Sequence, residues 1–405
     1  MSTTSFAPLF LPESAPAAAR AVFRLMKNIK RGTMSVQIPD GSTLLFGKPG
    51  EGGPRAVIRL RNWNVCAAAL KSGDIGFAET YVAGDWTTSD LIALLQLFIA
   101  NRDEVEQVIY GTWWGSLWCR VKHLVNRNSR RGSKRNIRAH YDLGNSFYEL
   151  WLDPTMNYSS AWFDGDLDAP MEVAQLAKVR RSLTECGVKA GDRVLEIGCG
   201  WGSLAECAAR DFEARVTGVT LSGEQLEWAQ RRLGEAGLHA DLRYQDYRDI
   251  GDGPFDAIAS IEMFEAVGCE YWPVFFETVR NKLKPSGKAC IQTIVIRDDL
   301  FDRYVKSTDF IQQYVFPGGL LPSPSGFRKA AREVGLQVIN ELDFGSDYAE
   351  TLRRWRERFL AADARVRRLG FDTRFMRLWE FYLAYCEAAF ATGNTSVIQF
   401  TLQRA

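Results

Sequence analysis

A glycine-rich segment at residues 194–202, with the sequence VLEIGCGWG, carries the strongest local signal for ligand chemistry. Its first residues have the pattern of a buried strand and the residues after it that of a helix, so the glycines form the turn between them. Glycine lets a backbone adopt positive φ and come close to a ligand. The segment therefore predicts a small-molecule site at a strand end, with Gly198 and Gly200 in the turn and Glu196 just before it.

The spacing of these glycines separates two cofactor classes. A dinucleotide fingerprint is G-x-G-x-x-G with an acidic residue at the end of the second strand, where it binds the ribose. Here the third glycine follows after one residue, and the second predicted strand ends in Thr220, Leu221 and Ser222 without an acid. Glu196 stands instead inside the motif, where methyltransferases place an acid. We interpret the turn as a site for S-adenosylmethionine (SAM) rather than for NAD.

Polar residues follow the next two predicted strands, and each group allows two interpretations. Ser222 and Gln225 have the spacing of a capping box, so Gln225 bonds the start of its helix, faces the cofactor, or does both. Gln245 and Asp246 follow the strand-like run 241–244, where a third strand end would bring them near an adenine. The alternative for this pair is an ordinary polar turn.

The alternation of strand and helix signals beyond residue 140 indicates a doubly wound α/β domain. Its predicted strands cover 193–197, 215–221, 255–261 and 289–296, and its predicted helices cover 203–210 and 222–235. Residues 16–125 form a smaller α/β unit, and residues 1–15 are expected to be loose. The first helix of this smaller unit has an apolar face made of Val22, Phe23, Met26 and Ile29.

A basic run at residues 127–138 separates the two predicted domains. It contains six Lys or Arg residues and no acid, and it follows a segment with Trp113, Trp114 and Trp118. Such a run is commonly a solvated connector. An aromatic segment beside a basic run also suits an anionic bilayer surface, so both interpretations stay open. The predicted domain boundaries are 1–125 for the N-terminal domain, 126–139 for the linker and 140–405 for the catalytic domain.

Composition narrows the functional classes. The chain has 405 residues, and its formal net charge of +1 argues against a general nucleic-acid binder. Its 8 cysteines include no CxxC pair, so we expect neither a metal site nor a disulfide framework, and the reducing cytoplasm is the natural location. The first basic residue is Arg20, which does not suit a signal peptide, and no apolar run approaches the ~18–20 residues of a membrane span. If the protein handles lipid, we expect it to act peripherally at the inner membrane surface.

Ordered motifs along nearly the whole chain resemble the cyclopropane-fatty-acid synthase family, which includes the mycolic acid cyclopropane synthases. In order, the matches are GFAETY and GDW at 76–86, HYD-x-x-N-x-FY at 140–148, LDP and YS at 152–159, the turn at 198–202, GVTLS at 218–222 with Gln225, QDYRD at 245–249, MFE-x-VG at 263–268, FPGG at 316–319, and W-x-FYL-x-YC at 379–386. The resemblance implies a Rossmann-like class I SAM methyltransferase domain preceded by a smaller α/β domain. We expect that N-terminal domain to bind membrane, to mediate dimerisation into a homodimer, or to do both.

The resemblance also implies a reaction. In that family an alkene attacks the SAM methyl group, and a bound bicarbonate ion takes a proton from the resulting carbocation as a ring closes. A neutral alkene is a weak nucleophile, so the sulfonium must be close and aligned, and the cation needs aromatic faces with water excluded. The implied SAM contacts are Tyr158, Ser159, Gly198, Gly200, Thr220, Gln225, Gln245 and Asp246. Tyr158, Tyr304, Phe310 and Tyr314 are the expected wall residues, and an ordinary place in the core is the alternative for the last three.

The resemblance assigns bicarbonate to five positions, of which three match and two differ. Glu265, Tyr348 and the backbone of Ile294 match the family pattern, whereas Ser160 replaces a cysteine and Gln292 replaces a histidine. Ser and Gln also donate hydrogen bonds to an oxyanion, so a bound bicarbonate stays compatible with the sequence. The loss of an imidazole nevertheless changes which base is available and at what pKa.

A second carboxylate, Glu262, stands three residues before Glu265, at a position that is Gly in many members of the family. Ala266 stands where the family has a histidine. Two carboxylates close together raise the pKa of one of them, which would make that group a proton acceptor at neutral pH. A surface or helix-cap contact is the alternative for Glu262.

These observations lead to one principal hypothesis and three alternatives. The principal hypothesis is SAM-dependent transfer of a one-carbon unit to the cis double bond of unsaturated acyl chains in membrane phospholipids, forming cyclopropane fatty acids. In the first alternative the same methyl transfer loses a different proton and gives a methylene- or methyl-branched chain, with a partner reductase where one is needed. The others are a SAM- and lipid-binding protein without catalysis and a methyltransferase acting on small amines or hydroxyls.

Overall fold

The structure is a computed structural model that describes residues 11–48, 52–105 and 143–405. The described residues divide into two compact units: the first contains the residues up to 105 together with 372–388, and the second contains 143–371 and 389–405. Residues 372–388 thus fold with the N-terminal part of the chain, whereas the predicted boundaries group everything after 140 together. The predicted basic linker, the tryptophan segment and the start of the 140–148 motif lie outside the described residues.

The first unit is a small mixed sheet packed with helices. Its strands are β1 (Thr33–Gln37), β2 (Thr43–Gly47), β3 (Arg55–Leu60) and β4 (Trp86–Thr88), in the spatial order β2-β1-β3-β4. Its helices are α1 (Ala17–Met26), α2 (Asn64–Ala83) and α3 (Leu91–Ala100), and most of a later helix joins them. Val22, Phe23 and Met26 of α1 are buried, as the sequence pattern predicts, and Ile29 is buried just beyond the helix. No helix in the described part of the chain has the length and apolar character needed to span a membrane.

The second unit is built on a seven-stranded mixed sheet. Its strands are β5 (Arg193–Ile197), β6 (Arg215–Thr220), β7 (Asp241–Tyr244), β8 (Phe255–Ile261), β9 (Leu283–Ile296), β10 (Leu336–Asp343) and β11 (Thr395–Arg404). The spatial order is β10-β11-β9-β8-β5-β6-β7, in which β5 to β9 are parallel and β11 pairs antiparallel with both β9 and β10. This order confirms the predicted doubly wound α/β sheet. The antiparallel strands β10 and β11 were not predicted.

Helices cover this sheet, and each face has its own core. The helices of this unit are α4 (Asn145–Tyr148), α5 (Met171–Glu185), α6 (Ser203–Asp211), α7 (Gly223–Glu235), α8 (Trp272–Lys282), α9 (Asp298–Val305), α10 (Phe310–Tyr314), α11 (Pro324–Glu333), α12 (Gly345–Ala361) and α13 (Asp363–Arg368); the next helix, α14 (Thr373–Ala391), lies mostly in the first unit. Leu195 and Ile197 of β5 belong to one core cluster and Val194 to the other, because successive side chains of a strand point to opposite faces.

The strand order reverses between β5 and β8, which are neighbours although β6 and β7 lie between them in sequence. In such sheets, ligands bind beyond the carboxyl ends of the strands at this point. β5 ends at Ile197, directly before Gly198, and β8 ends at Ile261, directly before Glu262. The fold therefore places the glycine turn and the two predicted carboxylates at neighbouring strand ends.

A buried aromatic cluster holds the turn that carries Glu265. Phe264 is fully buried, and its ring centroid lies 5.0 to 5.3 Å from the centroids of Phe275, Phe276 and Phe327. Truncating a buried Phe to Ala costs about 3–5 kcal/mol. The cluster therefore fixes the 3₁₀ turn that follows β8 and, with it, the position of the Glu265 backbone.

Candidate active site

The glycine turn after β5 has the backbone conformation that its sequence predicts. Gly198, Gly200 and Gly202 have φ values of +87°, +49° and +85°. A Cβ atom on Gly198 would lie 2.9 Å from Cγ of Met263, so a larger residue does not fit there. Helix α6 begins at the next residue, Ser203, and its first N–H groups need partners from outside the helix.

Gln225 and Thr220 lie beside this turn. A Cβ on Gly200 would be 4.0 Å from Nε2 of Gln225, and Oγ1 of Thr220 donates to Oε1 of Gln225 at 3.4 Å. Ser222 caps α7 by accepting a hydrogen bond from the N–H of Gln225 at 3.3 Å. Gln225 thus joins the helix start through its backbone, while its side chain lies next to the glycine turn.

Gln245 and Asp246 follow β7, and both make local contacts. Nε2 of Gln245 donates to the carbonyl oxygen of Asp249 at 2.7 Å. The Asp246 carboxylate accepts from the N–H of Arg248 at 3.0 Å and from its guanidinium at 2.5 and 2.8 Å. These contacts describe a well-held polar turn, and recognition of an adenine by either residue stays a prediction.

Glu196 is a buried carboxyl group inside the glycine motif. Burial raises its pKa well above the ordinary value, and a hydrogen bond from the N–H of Ala205 opposes this rise. Glu196 therefore takes up a proton more readily than an exposed carboxyl group does. Its Oε2 is buried and has no hydrogen-bond partner among the described residues. Buried polar atoms normally have a hydrogen-bond partner. An unpaired one beside the glycine turn therefore suits a bound polar ligand such as SAM.

Tyr158 lies in an aromatic cluster at the same end of the sheet. Its ring centroid is 5.4 Å from those of Tyr148 and Trp151 and 5.5 Å from that of Trp355. The Tyr148 centroid is in turn 5.1 Å from that of Trp201, which belongs to the glycine turn. Aromatic faces attract cations. The cluster therefore suits a sulfonium ion and a carbocation, the two cations of the predicted reaction.

The other three predicted wall residues lie in α9 and α10. The Tyr304 hydroxyl accepts hydrogen bonds from Nε2 of Gln312 and from the N–H of Leu321, each at 3.2 Å, and burial raises its pKa. Phe310 is 1% exposed, whereas Tyr314 is 38% exposed. Phe310 thus lies in the interior, Tyr304 is half-buried, and Tyr314 reaches the surface.

A buried lysine, Lys178, is absent from the predicted site but contacts it directly. It is 0% exposed, and its Nζ donates to Oγ of Ser159 at 2.5 Å and to the carbonyl oxygen of Ser160 at 3.1 Å. Burial lowers its pKa to about 8, and the charges of Glu262 and Asp153 oppose this shift. The sequence does carry a signal for the burial of Lys178, because this residue lies at helical spacing with the apolar positions of α5.

The Glu262 carboxylate accepts hydrogen bonds from three separate elements. Oε1 accepts from the N–H of Ser160 and from Nε2 of Gln292, each at 2.8 Å, and Oε2 accepts from the Tyr348 hydroxyl at 2.6 Å. Gln292 lies on β9 and Tyr348 on α12. The carboxylate is therefore fixed within the site, and the alternative of a surface or helix-cap contact is wrong.

Glu265 lies on the turn beyond Glu262, and only one of its oxygens is paired among the described residues. Oε1 accepts from the N–H of Ile294 at 2.5 Å and from the Thr293 hydroxyl at 3.0 Å. Oε2 is buried and has no partner in the described part of the chain. The protein thus anchors one oxygen and leaves the other for a proton or a ligand.

The two carboxylates and Lys178 form one buried electrostatic group. Burial raises the pKa of Glu262, while Lys178 and hydrogen bonds from Tyr348 and two other donors lower it. Burial, followed by the charge of Glu262, raises the pKa of Glu265 to about 8. At neutral pH Glu265 therefore holds a proton, and Lys178 together with the three donors favours the negative form of Glu262. A charged carboxylate beside a protonated one is a proton acceptor held in place.

Comparisons with known proteins identify the family. The family described as mycolic acid cyclopropane synthetase matches residues 128–400. The chain belongs to this family. A tuberculostearic acid methyltransferase of Mycobacterium tuberculosis is 39% identical over 345 residues, which cover 82% of this chain and 80% of the relative. The cyclopropane-fatty-acyl-phospholipid synthase of Escherichia coli K12 is 35% identical over 361 residues, which cover 87% of this chain and 89% of that synthase.

Solved structures of the mycolic acid cyclopropane synthases share the fold. One, complexed with SAH and CTAB, aligns with a TM-score of 0.63 and 31% identity, covering 67% of this chain and 98% of the other. A cyclopropane synthase from Mycobacterium tuberculosis aligns with a TM-score of 0.62 and 29% identity, covering 66% of this chain and 97% of the other. The predicted family and class I SAM methyltransferase fold are thereby confirmed. Members of this family are SAM-dependent methyltransferases that modify lipid acyl chains.

In this member of the cyclopropane synthetase family, the donors expected to bind bicarbonate bond the protein's own carboxylates. Ser160, Gln292 and Tyr348 donate to Glu262, and the Ile294 backbone donates to Glu265. A further oxyanion would have to displace a carboxylate. It would also add negative charge to an enclosure that already holds two acids. The residues present therefore do not fit a bound bicarbonate ion.

Proposed function

We propose that this protein transfers the SAM methyl group to a carbon of a cis double bond in an unsaturated acyl chain of a membrane phospholipid. The names of two relatives support this substrate class, since one refers to tuberculostearic acid and the other to a cyclopropane fatty acyl phospholipid. The buried pair Glu262 and Glu265 beside the SAM turn carries the proposal. Methylation of an alkene leaves a carbocation that must lose a C–H proton, so the enzyme needs a base enclosed from water. Methylation of an amine or a hydroxyl does not require such a pair.

The proposed reaction assigns a role to each group of this site. SAM, when bound, supplies an electrophilic methyl group on its sulfonium sulfur. The π electrons of the alkene form a C–C bond to that methyl carbon while the C–S electron pair returns to sulfur. The rings around Tyr158 stabilise the positive charge that develops on the other alkene carbon. Glu262, whose charged form Lys178 favours, accepts the proton that leaves the substrate.

We propose a methylene-branched acyl chain as the product. Burial raises the pKa of Glu262, but Lys178 and the three hydrogen-bond donors lower it, so Glu262 is a weaker base than burial alone would make it. A weak base gives the cation time for a 1,2-hydride shift, which moves the charge to the carbon that bears the new methyl group. Loss of a proton from that methyl group then forms a C=CH₂ branch on the acyl chain. A partner reductase that supplies a hydride and a proton would convert it into a methyl branch.

Cyclopropane formation is the second candidate. The retention of Glu265, Ile294 and Tyr348 and the similarity to the Escherichia coli synthase favour it. In this case the methyl C–H electron pair closes the ring onto the unshifted cation as the proton leaves. Both products add one CH₂ to the acyl chain and therefore have the same mass. Proton NMR distinguishes them by the chemical environment of the new hydrogens.

The proposed substrate brings the reaction to a bilayer surface. We propose that the protein binds the inner membrane surface peripherally from the cytoplasm, alone or as a homodimer. The basic run 127–138 is the proposed contact with anionic lipid, because clustered Lys and Arg residues are attracted by the negative potential of such a surface.

The test uses purified protein, methyl-labelled SAM and vesicles of a mono-unsaturated phospholipid, followed by mass spectrometry and proton NMR of the acyl chains. The proposal predicts a gain of one labelled CH₂ with olefinic methylene protons, whereas upfield ring protons would identify a cyclopropane. Vesicles of saturated phospholipid are the control and should gain no label. Label on soluble amines or hydroxyls but not on unsaturated lipid would overturn the proposal. Binding of SAM without any turnover would favour a non-catalytic role.

A further inference from the structure

Three hydrogen-bond donors converge on one carboxylate in the manner of a site for a free oxyanion. The N–H of Ser160, the amide of Gln292 and the hydroxyl of Tyr348 come from a loop, a strand and a helix, and they meet Glu262 at 2.6 to 2.8 Å. Fixed donors aimed at one point stabilise negative charge there. In this protein the chain's own carboxylate fills that point.

The backbone of Glu262 supports the same conclusion. Its φ is +49°, in the left-handed region that residues other than Gly adopt only at an energetic cost. Glycine would adopt this conformation freely. A glutamate is therefore unfavourable for the backbone at this position, and the contacts of its side chain are what favour it there.

The charge of Glu262 is balanced inside the site. Lys178 is fully buried, and its Nζ donates to Ser159 and to the carbonyl oxygen of Ser160, whose own N–H bonds Glu262. Glu265 accepts from elsewhere on β9 and holds a proton at neutral pH. The charge of the buried Asp153 also acts on Lys178, so a further, free anion would add to an enclosure that already holds more than one carboxylate for this cation.

We infer that Glu262 is a tethered occupant of an oxyanion site, and that the enzyme therefore turns over without bicarbonate or any other free anion. This inference rests on the proposed alkene methylation and deepens it by assigning the proton acceptor. A C–H bond of the cationic intermediate breaks, its proton moves to a carboxylate oxygen of Glu262, and its electron pair forms the new carbon–carbon bond. The variant Glu262→Gly keeps the donors of Ser160, Gln292 and Tyr348 and opens the site to a small oxyanion.

The experiment compares the wild type with Glu262→Gly and Glu262→Gln in CO₂-free buffer, with and without added bicarbonate or formate. Wild-type turnover should change by less than about twofold, because its general base is part of the chain. Glu262→Gly should lose about 10²–10⁴-fold in turnover, the usual contribution of a general base, and recover at least about tenfold with either anion. Glu262→Gln should stay inactive with either anion, because its amide fills the same space.

Binding of ¹³C-labelled formate, followed by NMR, gives a readout that does not depend on turnover. It should occur with Glu262→Gly and not with the wild type, and SAM calorimetry shows whether each variant is folded. Glu262→Ala takes the place of Glu262→Gly if the latter does not fold. A wild type that needs bicarbonate overturns the inference, as does a folded Glu262→Gly that binds no formate. A wild type inactive on every lipid, with formate binding as expected, overturns the proposed function and leaves the oxyanion site standing.

Discussion

Nε2 of Gln399 donates a hydrogen bond to Oε1 of Gln292 at 2.9 Å and thereby turns the amide N–H groups of Gln292 toward Glu262. Gln399 lies on β11, is fully buried, and also donates to the carbonyl oxygen of Lys178 at 3.0 Å. Its own Oε1 accepts from Arg181 at 2.6 Å. Gln399 thus orients the residue that stands in place of a family histidine and supports the backbone of the buried lysine.

We expect Gln399→Leu to lower turnover while leaving SAM affinity unchanged, because Gln292 loses the contact that orients its amide. A lost buried hydrogen bond costs about 1–3 kcal/mol, which corresponds to roughly 5–150-fold in rate. Steady-state kinetics on lipid vesicles and SAM calorimetry measure the two effects. Gln403→Leu, near the end of the same strand, is the control variant. Equal turnover in the two variants would contradict the assigned role.

We expect Lys178→Met to move the pH–rate profile to higher pH. The charge of Lys178 lowers the pKa of Glu262, so its removal raises that pKa and leaves the base protonated at neutral pH. Glu265 and the Tyr348 hydroxyl also face Glu262, and both remain in the variant. Activity at neutral pH should fall by about tenfold for each pH unit that the profile moves, and it should recover partly in alkaline buffer. Lys178→Arg keeps the charge and is the control; an unchanged profile in Lys178→Met would refute this role.

The raised pKa of Glu265 makes protein stability depend on pH. Its pKa is about 8 in the folded protein against an ordinary value of 4.5, so between these values the folded state holds a proton that the unfolded chain has released. The free energy of unfolding should therefore fall as the pH rises from about 5 to about 8. Glu265→Gln should weaken this slope while nearly preserving SAM affinity. Urea unfolding across this range measures the slope, and parallel slopes in the two proteins would show that Glu265 titrates as it does in water.

We expect Gly198→Ala to weaken SAM binding by about 10–100-fold. Gly198 has a φ of +87°, and an added Cβ would lie 2.9 Å from Met263, so the turn must shift. Gly191→Ala is a matched control, because Gly191 has a φ of +82° and nothing within 4 Å of its Cβ position. Both variants should lose stability through backbone strain. Calorimetry should show weakened SAM binding for Gly198→Ala alone, and equal losses would mean that the turn does not contact the cofactor.

Neutralising Arg130, Arg131, Lys134 and Arg135 together should weaken binding to anionic vesicles. Each basic residue near such a surface contributes about 1 kcal/mol, and salt screens this attraction. The loss should therefore be large at low salt and small at high salt in a vesicle sedimentation assay. Neutral vesicles are the control. Unchanged binding to anionic vesicles at low salt would favour the interpretation of this run as a solvated connector.

Local sequence was sufficient to predict the cofactor turn and the strands around it. The turn at Gly198 and Gly200 and the strands β5, β6 and β8 depend on burial patterns and turn residues within a few positions of each other. The position of Gln225 beside the turn follows from the same local spacing. Strands β10 and β11 were missed because their antiparallel pairing is set by contacts far apart in sequence.

The roles of Lys178, Glu262 and Gln399 depend on distant parts of the chain. A lysine in a helix is ordinarily solvated, and only the enclosing fold shows that Lys178 is buried. Glu262 meets Tyr348 and Ser160 across separations of 86 and 102 residues. The family resemblance implies a bicarbonate ion on these donors, whereas in the structure the carboxylate of Glu262 takes up the donors of Ser160, Gln292 and Tyr348.

Residues 372–388 complete the first unit, where the Tyr81 hydroxyl donates to Glu380 and the Tyr385 hydroxyl donates to Asp74, each at 2.8 Å. Strand β11, which joins β9 to β10 in the second unit, follows them. During synthesis, neither unit can therefore finish its core until residues 372–404 have left the ribosome. A nascent chain that stalls before residue 372 leaves apolar surface uncovered in both units at once. We expect such stalled chains to depend on chaperones, and the two units to mature together rather than in N-to-C order.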